Sequence, residues 1–393
     1  MAPIRVALIG LSASAKTSWA EEGHLPYLLS PLGRSHYVIV ALLNSSAQAA
    51  EAAREYYKLP ISVKTYGSPE QLAADEEVDL VVCNTRTDKH VSTTVESLRA
   101  GKAAFIEWPL AANYKEAIAL TGGQQFDNSI IGLQGRFSPI VLKVKEALKS
   151  GRIGRVLSSE VRAYGNLWPR DGLPERLSYF SDRKIGGNGI TIPFAHTIDH
   201  VHDTLGEFEN FQSRMQIQRP GLKILDRDGT PKGEVKTDVP DFLAVHGKLA
   251  KGKADIVEGA TLVFTYRTGP QFKGTPGLVW TINGEKGEIM VTACGAYIGA
   301  HAYHEPIDIK VHDHATDEVV NIEWDWEDWQ KELPTLARNV AQLYERFARW
   351  RESGRLGGDV PEGEEWPRLH EAVVRMKEFE ELLRQYDSQD GGM

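Results

Sequence analysis

Apolar residues along the first 135 positions come in short unbroken runs of strand length: IRVALIG (4–10), YVIVALLN (37–44), VDLVVCN (78–84), AAFIE (103–107) and NSIIGLQG (128–135). Unbroken runs, unlike alternating ones, belong to strands covered on both faces. Between them lie segments with helical character: EGHLPYLLSPL, SSAQAAEAAREYYKL (45–59), KHVSTTVESLRAGK (89–102) and NYKEAIALTGG (113–123). Ser45 or Ser46 is placed to cap the second of these, and Gly101 sits where the third should end. Strands that alternate with helices in this way predict a parallel, doubly wound α/β sheet.

The pattern changes after residue 136. An amphipathic helix, SPIVLKVKEALKSGRIG (138–154), is followed by runs that alternate apolar and polar residues: VLSSEVRAYG, FQSRMQIQ, DFLAVHGKLA, GATLVFTYRTG, GLVWTINGEKGEIMVTA and IDIKVHDH. A period of two marks strands with one buried face, and NGEKGE (283–288) reads as a tight hairpin turn. A large, mostly antiparallel sheet is expected. Helices over 331–352 and 366–386 close the chain, separated by SGRLGGDVPEGEEWP. The chain therefore divides into an α/β domain at 1–130 and an α+β domain at 131–393. The second includes terminal helices at 331–386 and a disordered tail at 387–393.

Composition narrows the class of protein. With 41% hydrophobic and 25% charged residues the make-up is that of an ordinary globular chain, and 393 residues suffice for about two to three cores. A formal net charge of -9 argues against a nucleic-acid or anionic-membrane binder, which needs a basic field. Cys83 and Cys294 are the only cysteines, and two free thiols fit a reducing, cytoplasmic setting. No apolar run approaches the roughly 20 residues that span a bilayer. MAPIRVALIG enters a strand without the apolar core and cleavage site of a signal peptide.

The first turn carries candidate chemistry. Gly10 stands where the first strand gives way to a helix, and in a doubly wound sheet that turn holds a pyrophosphate on backbone N–H groups. The usual spacing is G-x-G-x-x-G. GLSASAKTSW keeps Gly10 and places small residues, Ser12 and Ala15, at the other two positions. Ser12 and Ser14 can donate to phosphate, and Lys16 adds charge. The second apolar run ends in Leu43-Asn44-Ser45-Ser46, where an acid would bind a ribose 2′-hydroxyl and favour NAD. Neither an acid nor an adjacent Arg is there. The expected cofactor is NAD or NADP, with Ser45 tilting slightly to NADP.

The stretch LVVCNTRTDKH…LRAGKAAFIEWPLA resembles the glucose–fructose oxidoreductase/inositol dehydrogenase superfamily. That family reads T-P-N-x-x-H after its third strand and A-G-K-x-x-x-x-E-K-P across its fourth. Here those places hold Thr85-Arg86-Thr87 with His90, then Gly101-Lys102 and Glu107-Trp108-Pro109. LQGRFSPIVLKVKEALKSGRIGRV continues the likeness through Arg136, Pro139 and Gly154. GGNGITIPFAHTID aligns with the family stretch that holds a catalytic Asp four residues before a catalytic His. The likeness covers nearly the whole chain. It is closer still to one branch, the fungal galactose-regulon repressors, which also carry Trp for Lys. They share look-alikes of LQGR, SP, AHTID and LDRDGTPKGEVKTDVPDFLAVHG (225–247).

The resemblance implies an N-terminal Rossmann domain, a C-terminal α+β domain and a homodimer built on the C-terminal sheet. It implies cofactor contacts from Thr85, Thr87, His90, Glu107, Trp108 and Arg136. In the family's catalysts the Lys binds substrate, the His moves the proton of a sugar hydroxyl, and the Asp assists. Carried over, Lys becomes Trp108, Asp becomes Ile192, and the His remains as His196. At helical spacing His196, Asp199 and His200 share a face, so Asp199 is expected to fix the His196 tautomer. Tyr164, Trp168, Arg170, Tyr179 and Arg183 are candidates for a substrate pocket, with Tyr179 standing in for the missing acid. His-x-x-x-His spacing is weakly specific for metal, and no metal is expected.

Two functions follow. The first is an NAD(P)-dependent oxidoreductase acting on a small-molecule carbonyl, alcohol or imine, with His196 as acid/base. The second is a catalytically silent dinucleotide-binding regulator working through a protein partner, in the cytoplasm or nucleus. An imidazole titrates near working pH, and its retention favours the enzyme.

Overall fold

The computed structural model describes residues 2–15, 19–124, 126–354, 360–361 and 363–390. The unbroken apolar runs form β1 (Ile4–Ile9), β2 (Tyr37–Leu43), β4 (Leu80–Cys83), β5 (Ala103–Ile106) and β6 (Ser129–Ile131). A further strand, β3 (Lys64–Tyr66), joins them. It is three residues long and half-buried throughout, too short for a period to show. The order is β3-β2-β1-β4-β5-β6, with every pairing parallel. Val6, Leu8, Val81, Val82, Ala104 and Phe105 have no exposed surface, as a sheet covered on both faces requires. Helices α1 (Leu25–Leu29), α2 (Pro31–His36), α3 (Ala47–Tyr56), α4 (Pro69–Ala73), α5 (His90–Arg99) and α6 (Tyr114–Thr121) make the crossovers. Ser46 is the cap of α3: its hydroxyl accepts from the Ala49 N–H at 3.1 Å. Strand order reverses between β1 and β4, and such sheets bind ligands at that crevice.

The second sheet has eight strands: β7 (Val156–Gly165), β9 (Phe208–Gln216), β12 (Phe242–Leu249), β13 (Ile256–Thr268), β14 (Leu278–Gly284), β15 (Gly287–Ala293), β16 (Asp308–Asp313) and β17 (Glu318–Asn321). Their order is β17-β16-β15-β14-β7-β13-β12-β9. All neighbours are antiparallel except β7 and β13. The expected hairpin joins β14 to β15 through Glu285 and Lys286. β8 (Gly172–Pro174), β10 (Gly221–Leu225) and β11 (Pro231–Lys236) form a small separate sheet. Two helices accompany these strands, α7 (Pro139–Lys149) and α8 (Ala195–Leu205). A π-helical turn, Ile190–Phe194, leads into α8. Every residue of α8 except Asp203 is buried, although the helix carries three histidines and two aspartates. Its polar groups must therefore find internal partners.

Three helices close the chain: α9 (Asp328–Lys331), α10 (Thr335–Glu352) and α11 (Leu369–Asp390). The chain divides into two compact units. One holds Met1–Gln134, Lys184–Gly187 and Glu327–Lys377; the other holds Gly135–Arg183, Asn188–Trp326 and Glu378–Met393. This differs from the sequence division at residue 130, which gave all terminal helices to the second domain. α10 belongs with the parallel sheet because its aromatic face packs there. Tyr344 stacks on Tyr27 at 5.3 Å and meets Phe105 at 5.0 Å, and the Tyr37 hydroxyl donates to the Tyr344 carbonyl at 2.7 Å.

The disordered tail expected at 387–393 is also corrected as far as Asp390, where α11 ends. Arg183 forks onto Asp387 at 2.9 and 3.1 Å. The side chains of Gln385 and Gln389 hydrogen-bond to Ser213 on β9, an edge strand that needs such cover. Residues 391–393 lie outside the described residues. Among the described residues, no helix is long and apolar enough to cross a membrane.

Candidate functional site

The end of β1 forms the first part of the site. Gly10 adopts a left-handed conformation at φ 92°, and its N–H donates to the Leu43 carbonyl at 3.0 Å. A Cβ added there would lie 3.1 Å from Thr85 Cγ2 and 3.2 Å from the Asn84 carbonyl carbon, so only glycine fits. Past it the chain turns: Ala15 N–H donates to the Ser12 carbonyl at 3.1 Å, and the Ser12 and Ser14 hydroxyls lie 3.1 Å apart. Lys16 lies outside the described residues. At the end of β4, beside Gly10, both polar atoms of the Asn84 amide are buried without a hydrogen-bond partner. Orphaned amides cost free energy unless something fills the space. An unpartnered amide at the crevice between β1 and β4, beside a bare glycine turn, fits a dinucleotide. Ser45 stays exposed at the end of β2, while Asn44 donates to the Leu11 and Ala49 carbonyls at 2.9 and 3.2 Å. Gly10→Val is expected to weaken NADH binding at least about tenfold, measured by fluorescence titration, with the circular dichroism spectrum unchanged.

Several expected cofactor residues of this unit are occupied internally. Thr87 is buried in a short turn over Thr87–Lys89. His90 reaches the Pro109 carbonyl through Nδ1 at 2.8 Å and the Thr85 carbonyl through Nε2 at 2.9 Å, tying two loops together. Burial pushes its imidazole below the ordinary value, against the pull of those carbonyls. Glu107 Oε1 lies 2.9 Å from His24 Nε2, and His24 Nδ1 lies 2.8 Å from the Tyr344 hydroxyl. A carboxylate only accepts, so Nε2–H donates to Glu107. A Cβ on Gly132 would come within 2.6 Å of the Glu107 carboxylate. Trp108 is buried, with 4% of its surface exposed. His24 escaped the sequence reading because EGHLPYLL showed only helix, and its partner Tyr344 is 320 positions away.

The other unit holds the acid/base candidates. His196 is buried near the start of α8. Its ring stacks on Tyr297, centroids 4.4 Å apart with 23° between planes, and Nε2 lies 3.2 Å from the Tyr297 hydroxyl. Nδ1 of His196 is buried with no hydrogen-bond partner. Burial pushes the imidazole down to about 3, against the opposite pull of Asp199. Asp199 therefore does not fix the His196 tautomer by a hydrogen bond, which corrects the expectation. Its two oxygens accept from Arg136 Nε and Nη2, both at 2.8 Å. Arg136, expected at the cofactor, is the buried counter-ion of α8. Burial pushes Asp203 up, but Arg136, Lys145 and Lys253 outweigh it and hold its carboxyl below the usual range.

The remaining pocket candidates have internal partners as well. Trp168, Leu173 and Phe180 form a buried cluster, with Tyr179 and Ile192 packed against it. Tyr179, partly buried, sits there edge-on to Phe180. Ile192 packs against the same cluster, which suits an apolar side chain. Tyr164 lies under the Arg267 guanidinium at 4.7 Å, and Arg170 donates to the Pro270 and Gln271 carbonyls at 2.7 and 3.0 Å. Among the described residues one group has metal-ligand spacing, His202, Glu207 and Glu378, and neither His196 nor His200 belongs to it. Tyr297 was missed by the sequence reading; the His-rich loop ACGAYIGAHAYH was its one visible signal.

Comparison with known proteins identifies the two domains. Residues 4–122 match the model of an oxidoreductase family with an NAD-binding Rossmann fold, and residues 139–293 match that of the Gal80p C-terminal domain. Dehydrogenase aclE of Aspergillus oryzae is 34% identical over 289 residues, covering 73% of this chain and 76% of the relative. The galactose/lactose metabolism regulatory protein GAL80 of Saccharomyces cerevisiae is 27% identical over 299 residues, 73% of this chain and 66% of the relative. Among solved structures, a super-repressor mutant of Gal80p from S. cerevisiae has the same fold, with a TM-score of 0.83 at 22% identity. That match covers 99% of this chain and 97% of the other.

Proposed function

This chain belongs to the Gfo/Idh/MocA oxidoreductase family, and from that premise we propose that it is an NAD(P)-dependent oxidoreductase of a small-molecule carbonyl or alcohol, with His196 as acid/base. One observation carries the reading. His196 is kept, buried and neutral, with a proton-bearing partner at Nε2, although the family's Lys and Asp positions hold Trp108 and Ile192. Gly10, Ser12, Ser14, Asn84 and Thr85 would hold the dinucleotide. A nicotinamide supplies the hydride chemistry when bound. Trp108, an indole in place of an ammonium, suits a substrate less polar than a free sugar. Ser45 at the end of β2, with no acid beside it, tilts the cofactor toward NADP. The protein acts as a homodimer in the cytoplasm on this reading.

The test is a fluorescence titration with NADH and NADPH, followed by a panel of ketones, aldehydes and imines, watching absorbance of the reduced cofactor. Binding with oxidation is the expected result. A second reading has its own support: the match to the Gal80p C-terminal domain and the loss of the Lys and Asp. On it the chain is a silent dinucleotide-binding regulator that acts through a protein partner, in the cytoplasm or nucleus. Tight binding without oxidation of any panel member would favour that reading.

A further inference from the structure

Tyr297 enters the reading above only as the partner of His196 Nε2. Stacking brings its phenolic oxygen and His196 Nε2 side by side, 3.2 Å apart. Tyr297 keeps 8% and His196 4% of their surface exposed, so the pair is buried with a thin exposed margin. Tyr297 is the one hydrogen-bond partner of the His196 ring among the described residues. The titratable groups that face His196 are Asp199, His200 and His301, and Asp199 is committed to Arg136.

The loop that carries Tyr297 is held in place. Thr197 Oγ1 shares its proton between the Pro193 and Ala296 carbonyls at 2.8 and 3.0 Å, Asn166 Nδ2 donates to the Cys294 carbonyl at 2.7 Å, and the Tyr303 hydroxyl to the Ile298 carbonyl at 2.6 Å. A Cβ on Gly299 would come within 2.6 Å of the Tyr297 ring, so the backbone closes against it. A fixed phenol next to a fixed imidazole is a preorganised proton path.

We propose that Tyr297 is a catalytic residue whose phenol meets the reacting oxygen of the substrate and carries the proton between that oxygen and Nε2 of His196. This rests on the oxidoreductase reading. In the oxidation direction the substrate hydroxyl gives its proton to the Tyr297 oxygen as the phenolic proton moves to His196. The carbinol carbon loses a hydride, with its two electrons, to the nicotinamide. A carbonyl and an imidazolium result, and reduction runs the same path backwards. Burial leaves the His196 imidazole neutral at rest and makes its imidazolium a high-energy state, so the proton is held there only within a turnover.

The experiment compares wild type with Tyr297→Phe, which keeps the stacked ring and removes only the hydroxyl. Three readouts are taken: NADH affinity, kcat on whichever carbonyl of the panel wild type reduces, and the 15N resonance of His196 Nε2. The expected result is unchanged NADH affinity, kcat lowered about 10²-fold, and a displaced Nε2 resonance. Full turnover by Tyr297→Phe overturns the proposal and leaves the oxidoreductase reading standing. Lost turnover with an unmoved Nε2 resonance also overturns it, because the hydroxyl then does not touch His196. Wild type that binds NADH but reduces nothing defeats the oxidoreductase reading and the proton role together.

Discussion

Arg136→Met is expected to destabilise the unit that holds the eight-stranded sheet by about 3–5 kcal/mol, the usual result of removing one partner from a buried ion pair. The pair is well made: two parallel charge-assisted hydrogen bonds of 2.8 Å, with the side chains of Arg136 and Asp199 8% and 2% exposed. The guanidinium also lies 3.8 Å from Asp203. Methionine fills similar volume, so the loss measures charge rather than a cavity. For a unit of this size the melting temperature should fall by roughly 10 °C. Adding Asp199→Leu should recover much of the loss, since it removes the carboxylate that Arg136→Met exposes to a low dielectric. Urea and thermal denaturation of the single and double variants make the comparison. NADH affinity is expected to stay at the wild-type value. If it collapses while the fold survives, Arg136 is a cofactor residue, as the family likeness implied, and the ion pair is secondary.

What the sequence revealed follows physical range. The parallel sheet was legible because β1, β2, β4 and β5 are unbroken apolar runs, and the second sheet because its strands alternate. Both signals are local. β3, three residues long and half-buried, carries no period at all. The membership of α10 was not legible, because an amphipathic helix does not say which sheet its face will meet. Only Tyr27, Tyr37 and Phe105, far off in sequence, decide that. The same limit applies to the site. Gly10, His196 and the loss of the family's Lys and Asp could be read directly. That Asp199 serves Arg136 and that His196 serves Tyr297 could not, since those partners lie 63 and 101 positions away. Helical spacing put Asp199 on the face of His196, and a guanidinium from outside the helix won the carboxylate. Charge-assisted forks are stronger than a neutral imidazole contact, so the outcome has a physical reason.

Mild acid is expected to unfold the same unit before its carboxylates titrate, and two histidines set the window. Burial pushes His196 down to about 3 and His200 down to about 4. In the unfolded chain a histidine titrates near 6.5. Between about pH 6.5 and pH 4 the unfolded chain therefore binds protons at these two residues that the native unit refuses, buried His301 adds in the same direction, and stability falls as pH falls. Each group contributes a slope of about 1.4 kcal/mol per pH unit, about 2.7 for the pair, so a drop from pH 6.5 to 5 removes roughly 4 kcal/mol. Above pH 6.5 both states are neutral at these residues and the slope vanishes. Near pH 4 native His200 takes up its proton, near pH 3 His196 does, and this loss levels off. Asp203, held below the usual range by its cations, then adds a further loss as it is protonated. The geometry explains the refusal. His200 Nδ1 lies 2.9 Å from the His196 carbonyl and must donate to it, while Nε2 is buried with no partner. A proton added to Nε2 would sit on a buried charge with no acceptor, and the nearby carboxylates that could help, Asp199 and Asp203, are held by Arg136 and Lys145. His200→Gln should lower the slope by about 1.4 kcal/mol per pH unit, measured by urea melts from pH 7.5 to 4.5. A profile flat between pH 7 and 5 in wild type would mean that water reaches both rings and that α8 is not the sealed helix its burial describes.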